Sequence, residues 1–252
     1  MDAAYVRTEF HQGVTTVEFF HPQSNSLPGK ILEQLTQAIH GAGNDRDCRV
    51  ILLKAGGERA FCAGASFDEL AAIDNEDKGL QFFSGFANVI NAIRTAPKFV
   101  VGRIHGRCVG GGVGLAAAVD YAIATQEAEV RLSELAIGIG PFVIGPAVER
   151  KIGLSAYSQL SIDAQLPRGA EWARNKGLFA EVHPSAASMD ESIHRLLTTL
   201  AQSNPAAMAE LKKVLWQGTD HWDKLLMERA AISGRLVLSD FTRQAIASFQ
   251  KK

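Results

Sequence analysis

Three short stretches of this chain carry residue types suited to proton transfer beside a stabilised oxyanion: Ala63-Gly64-Ala65, Gly110-Gly111-Gly112 and Ser133-Glu134-Leu135. The first two each fall where a strand should turn into a helix, and small residues there let backbone N–H groups approach a single ligand atom. An acyl thioester that gains or loses a proton at its α carbon passes through an enolate, whose oxygen needs donors fixed in place before the charge appears. One such donor contributes about 3 kcal/mol, so a pair can dominate the catalysis. Side chains larger than alanine would block the approach. Glu134 sits among apolar chain neighbours in Val130-Arg-Leu-Ser-Glu-Leu135. A carboxylate in an apolar cleft has its pKa raised toward neutrality, where it can exchange protons. The plainer alternative is a structural carboxylate paired with Arg131.

Other constellations are weaker. Gly112-Val-Gly114-Leu-Ala-Ala117 matches the G-x-G-x-x-A turn of dinucleotide-binding folds, with Glu127 or Glu129 downstream, and would suit a nicotinamide-dependent oxidoreductase. That reading leaves Ala63-Gly64-Ala65 without a role. The seven histidines show no i, i+4 pair or other metal spacing, so no metal is expected. Ser66 and His105 flank the proposed site, but no G-x-S-x-G elbow accompanies them. Cys48, Cys62 and Cys108 are odd in number and include no C-x-x-C, which suits packing roles in a reducing cytoplasm.

The elements that must position these groups alternate along the chain. Residues 3–10 and 14–20 predict a hairpin about His11-Gln12-Gly13. Residues 28–42 place Ile31, Leu35, Ala38 and Ile39 on one helical face, with Gly41 and Gly43 as the stop. Residues 48–54 predict a strand buried on both faces, 67–73 a short helix and 79–95 a longer one closed by Pro97. Strands over 99–104, 121–125 and 130–132 frame a small-residue helix over 113–120. Beyond Pro141 the pattern turns helical: Asn204-Pro205 starts a helix carrying Met208, Leu211 and Leu215, and residues 221–237 form another. One mixed α/β domain with a helical tail is the economical reading.

Length and composition set modest bounds. The 252 residues are 46% hydrophobic with a net charge of −1, ample for a core and giving no reason to expect nucleic acid or an anionic membrane as partner. The longest apolar run, residues 110–119, is bracketed by Arg103, Arg107 and Asp120 and is too short to span a membrane. The first twenty residues do not read as a signal peptide.

Taken in order, Ser24-Asn25-Ser26-Leu27, Ala60-Phe-Cys-Ala-Gly-Ala-Ser66, Gly106-Arg-Cys-Val-Gly-Gly-Gly112, Asp120-Tyr-Ala-Ile-Ala124 and Ser133-Glu-Leu-Ala-Ile-Gly138 resemble the enoyl-CoA hydratase/isomerase (crotonase) superfamily, as does Trp172-Ala-Arg-Asn-Lys-Gly-Leu-Phe-Ala-Glu-Val182. The resemblance implies a crotonase-like spiral of ββα units over residues 1–195, and a helical region over 196–252 that takes part in forming a homotrimer or homohexamer. It also implies an acyl-CoA substrate, with no cofactor beyond the coenzyme A of that substrate. By position it assigns the oxyanion-hole N–H groups to Ala63 and Gly111, the acyl-CoA pocket to Ala63, Gly64, Ala65, Ser66, Gly110 and Gly114, and the catalytic carboxylate to Glu134. Glu134 matches the second of the two glutamates of typical hydratases, and the first falls on Gly114. A lone base suffices for a 3,2-enoyl-CoA isomerase. The stretch Pro141-Phe-Val-Ile-Gly-Pro146 is similar to the loop of a hydratase subgroup acting on branched acyl-CoAs such as methylglutaconyl-CoA, which tips the expectation narrowly to hydration. The basic residue usual in the family before the Asn-Ser-Leu motif is missing, since His21-Pro-Gln-Ser24 stands there, so Lys30 or Arg59 is expected to bind the CoA phosphates. A non-catalytic CoA-binding or RNA-binding member of the same fold is the remaining alternative.

Overall fold

The computed structural model describes residues 3–250, and the outermost residues of the expected 1–252 domain lie outside that range. β1 (Tyr5–His11) and β2 (Val14–Phe20) form the expected antiparallel hairpin. Its two-residue turn uses positive φ at Gln12 (47°) and Gly13 (84°), matching the right-handed strand twist. β3 (Ser26–Leu27) leads into α1 (Gly29–Asn44), which buries Ile31, Leu35 and Ile39 as predicted. Gly41 and Gly43 do not stop it. Gly43 lies within the helix, where a Cβ would make ordinary contact with Pro97 at 3.4 Å.

A strand–strand–helix unit then repeats. β4 (Val50–Ala55) and β5 (Ala60–Cys62) precede β6 (Gly64–Ala65), α2 (Phe67–Ala72) and α3 (Glu76–Thr95). β7 (Phe99–Ile104) and β8 (Arg107–Val109) precede α4 (Gly111–Ala118). β9 (Tyr121–Thr125) and β10 (Glu129–Arg131) precede a 3-10 turn at Leu135–Ile137 and α5 (Gly145–Ile162). β11 (Arg168–Gly169), α6 (Ala170–Asn175) and β12 (Glu181–His183) complete the spiral.

In each unit the first strand joins a six-stranded sheet ordered β1-β2-β4-β7-β9-β12, and the second joins a four-stranded sheet ordered β11-β10-β8-β5. Because β5, β8 and β10 are adjacent and parallel, their carboxyl ends lie side by side. The three motifs each follow one of these ends, and this is where ligands bind in parallel sheets. Ile51 and Leu53 face the main core, while Val50, Val101 and Ile123 face α7 (Ala186–Gln202) through Met189, Ile193 and Leu197.

α8 (Pro205–Leu215), α9 (Trp222–Leu236) and α10 (Asp240–Gln250) close the chain. Asn204 caps α8 as expected, its Oδ1 accepting the Ala206 N–H at 2.9 Å. The expected apolar stripe is only partly inward: Met208 is buried, but Leu211 and Leu215 are exposed. Lys212 is buried instead. Its ammonium donates to the carbonyls of Ile93 and Lys98 and to Asp120 Oδ2, at 2.7–2.8 Å. The boundary expected after residue 195 falls inside α7. The later helices pack on their own chain: α9 crosses α3 so closely that a Cβ on Gly79 would lie 2.6 Å from Gly234 Cα.

Candidate active site

Beyond the end of β8 the chain turns on Gly110, whose φ of 51° is left-handed. Its N–H donates to Arg131 O at 2.8 Å, tying this turn to the strand that leads to Glu134. A side chain at 110 would occupy the carboxylate's place, since a Cβ there would be 2.9 Å from Glu134 Oε1. Gly111 opens α4, and its N–H, one of the first-turn donors that a helix leaves unpaired, has no acceptor among the described residues. On the facing turn Gly64 adopts φ 89°, and a Cβ there would be 3.5 Å from Gly111 N. The two turns are therefore in contact, as their composition predicts.

Ala63, Gly64, Ala65, Gly110, Gly111 and Glu134 line one cavity of about 60 Å³. Its other walls come from α2 and α3 (Phe67, Leu70, Phe83, Phe86), from the segment 137–144 and, at α9, from Ser233. Glu134 precedes the 3-10 turn, and its carbonyl accepts the N–H groups of Ile137 (3.1 Å) and Ile139 (3.0 Å), which folds the segment back across the cavity. Its carboxylate Oε2 is shut off from solvent without a hydrogen-bond partner. Burial pushes this carboxyl up to about 7, against smaller opposing effects of its own backbone and of Arg131. No ion pair with Arg131 forms, and Arg131 Nε is itself buried without a partner. Glu134 is thus not the paired structural carboxylate of the plainer reading.

The expected roles of Ala63, Ser66 and Gly114 are corrected, and Lys30 and Arg59 are placed at the surface. Ala63 lines the cavity, but its N–H donates to Ser24 O at 3.1 Å and is not free to meet a ligand. Ser66 is outside the cavity wall, buried as the N-cap of α2, its Oγ accepting from Glu69 N. Lys30 is exposed on the first turn of α1, at an open groove that it shares with Glu33, Glu69 and Lys78. Arg59 is likewise exposed. Gly114 does not line the cavity, because Ile144 fills the place that a longer side chain would take: a Cβ at 114 would be 2.4 Å from Ile144 Cγ2. A Cβ at Gly112 would be 2.3 Å from Cys62 O. Both glycines of the G-x-G-x-x-A match are thus used for packing, and no room is left beside them for a pyrophosphate.

Sequence reasoning missed Phe83, Phe86 and Ser233 as cavity walls. The phenylalanines were legible only as core positions of α3. The neighbouring small residues Ser233-Gly234, opposite Gly79, were the available signal for a close helix crossing. Among the described residues no group of three or more His, Cys, Asp or Glu side chains is arranged to hold a metal ion.

A model of the family described as Enoyl-CoA hydratase/isomerase matches residues 9–245. The chain is 28% identical over 244 residues to a probable enoyl-CoA hydratase of Bacillus subtilis (strain 168), covering 96% of this chain and 93% of that one. It is 28% identical over 234 residues to the mitochondrial methylglutaconyl-CoA hydratase of Homo sapiens, covering 90% of this chain and 68% of that one. The crystal structure of an enoyl-CoA hydratase from Bacillus halodurans superposes with a TM-score of 0.89 at 21% identity, covering 97% and 99% of the two chains, a likeness of fold.

Proposed function

The chain belongs to the enoyl-CoA hydratase/isomerase family, and from that premise we propose that it shifts the double bond of a 3-enoyl-CoA to the 2 position, with Glu134 as the only base. The observation that carries this reading is the lone, unpartnered carboxylate in an apolar cavity whose second-acid place is filled by Ile144. The thioester oxygen would be held by the N–H of Gly111 and, from the facing turn, by that of Ala65. Ala63 is excluded there by its bond to Ser24. Ala65 lies in β6, which pairs with β3 as Ser26↔Gly64 and Leu27↔Ala65, and Pro28 beyond Leu27 has no N–H to extend the ladder. In a parallel ladder alternate residues face away from the partner strand. With Leu27 as the bonded residue opposite, the Ala65 N–H points away from β3.

With the carbonyl polarised, Glu134 would take the proton from C2, giving a dienolate whose negative charge rests on the thioester oxygen. The same carboxyl would return that proton to C4 as the double bond moves from C3=C4 to C2=C3. A carboxyl poised near neutral pH suits both halves of the transfer. The working assembly would be a trimer or hexamer in a reducing cytoplasm.

Hydration of a 2-enoyl-CoA is the second reading, favoured by the likeness to the Bacillus and human hydratases. Assaying both reactions side by side separates the two. The isomerase reading expects a 3-enoyl-CoA to become conjugated, by ultraviolet absorbance, much faster than crotonyl-CoA or 3-methylglutaconyl-CoA is hydrated. Faster hydration than double-bond shift would reverse the assignment.

A further inference from the structure

We propose that the acyl group taken by this cavity is short and uncharged, that acyl groups ending in a carboxylate are refused, and that Phe142 sets the chain length; this rests on the acyl-CoA reading above. Among the described residues lining the cavity, Glu134 is the sole charged one, and Ser133 and Ser233 offer only hydroxyls. A second carboxylate entering would lose its water with no cation in the cavity wall to receive it, and would stand in the same small space as Glu134. The cavity is small, about 60 Å³, and Phe142 stands in its wall.

Its aromatic walls differ in how firmly they are held. Phe86 is buried in α3, stacks edge-on with Phe82 at 6.0 Å, and has its ring edge 2.2 Å from where a Gly111 Cβ would be. Cutting it back would disturb Gly111 as well. Phe142 belongs to no helix, is half-buried, and lies with its ring tip 2.5 Å from the place of a Gly140 Cβ. It is the wall that can be removed without unpacking the turns.

Equilibrium binding of saturated thioesters tests this without relying on turnover. Butyryl-CoA should bind at least about tenfold more tightly than either glutaryl-CoA or decanoyl-CoA, the range that a mismatch in an apolar pocket gives. In Phe142→Ala the preference should move toward decanoyl-CoA by about tenfold, with glutaryl-CoA still disfavoured. A uniform loss across all chain lengths would reduce Phe142 to a structural role and overturn that part. Glutaryl-CoA binding as tightly as butyryl-CoA in the wild type would overturn the charge rule, whatever reaction the enzyme performs. Retained preference for butyryl-CoA with no double-bond shift on any 3-enoyl-CoA would instead overturn the isomerase reading and leave this one standing.

Discussion

Glu134 is held where a carboxylate is costly to ionise, and that cost has two separable consequences. Acting as the base it must be deprotonated, so kcat/KM should rise with pH through about 7. Glu134→Gln should lower kcat at least about a hundredfold and remove that inflection, measured on a confirmed substrate across pH. Stability moves the opposite way. The folded carboxyl is raised above its ordinary 4.5, so its favourable contribution is complete below that value and is lost as pH rises through about 7. Glutamine carries no such charge at any pH. The variant should therefore gain in Tm relative to wild type above neutrality, and gain little near pH 5, by scanning calorimetry. Gly114 gives a second test at this scale. Gly114→Glu alone should lower Tm, because Ile144 already occupies the space. Combined with Ile144→Gly it should refold and hydrate crotonyl-CoA faster than wild type, measured by loss of thioester conjugation. A stable single variant would show that the segment 141–146 yields more readily than its packing implies.

At the scale of elements, the α3–α9 crossing brings a residue from the far end of the chain to the cavity. Neither helix carries a side chain at the contact: the Gly79 and Gly234 backbones meet, and Ser233 beside them reaches the cavity wall. Gly79→Ala would force the helices apart, since its Cβ would lie 2.6 Å from backbone on both Gly234 Cα and O. The expected cost is about 1–3 kcal/mol by denaturant titration, with KM rising more than kcat falls as Ser233 withdraws. Arg94, buried near the other end of α3, pairs with Asp223 of α9 at 2.6 Å and ties the two helices together away from that crossing.

Across the whole molecule, the helical tail is bound into the spiral by a buried charge. Asp120 accepts from Val100 N, Lys212 Nζ and Trp216 Nε1, all at 2.7–2.8 Å, so β7, the α4–β9 junction and α8 share one carboxylate. Lys212→Met would leave that carboxylate buried without its cation, at a cost of about 3–5 kcal/mol. Trp216 and Trp222 stack edge-on within the tail, so tryptophan fluorescence reports largely there, and far-UV circular dichroism reports on the whole chain. The two probes should give coincident unfolding midpoints in wild type and in Lys212→Met, both shifted together in the variant. Separate midpoints would show that the tail unfolds independently of the spiral.

The sequence by itself determined the family motifs and several of the elements that carry them. Apolar periodicity placed β7 and β9 at their observed bounds, and small residues at 63–65 and 110–112 marked turns that the fold does bring together. Both signals are local, because strand alternation and the absence of a Cβ act on the backbone that carries them. Tertiary structure alone decided which N–H remains free, what stands beside Gly114, and which helix covers the cavity. Ala63 loses its donor to Ser24, thirty-nine positions earlier, and Gly114 meets Ile144, thirty positions later. Lys212 replaces Leu211 and Leu215 on the inward face of α8 because Asp120 waits there. Each outcome depends on partners distant in the chain, and hydrogen-bond saturation and close packing are settled only when those partners meet.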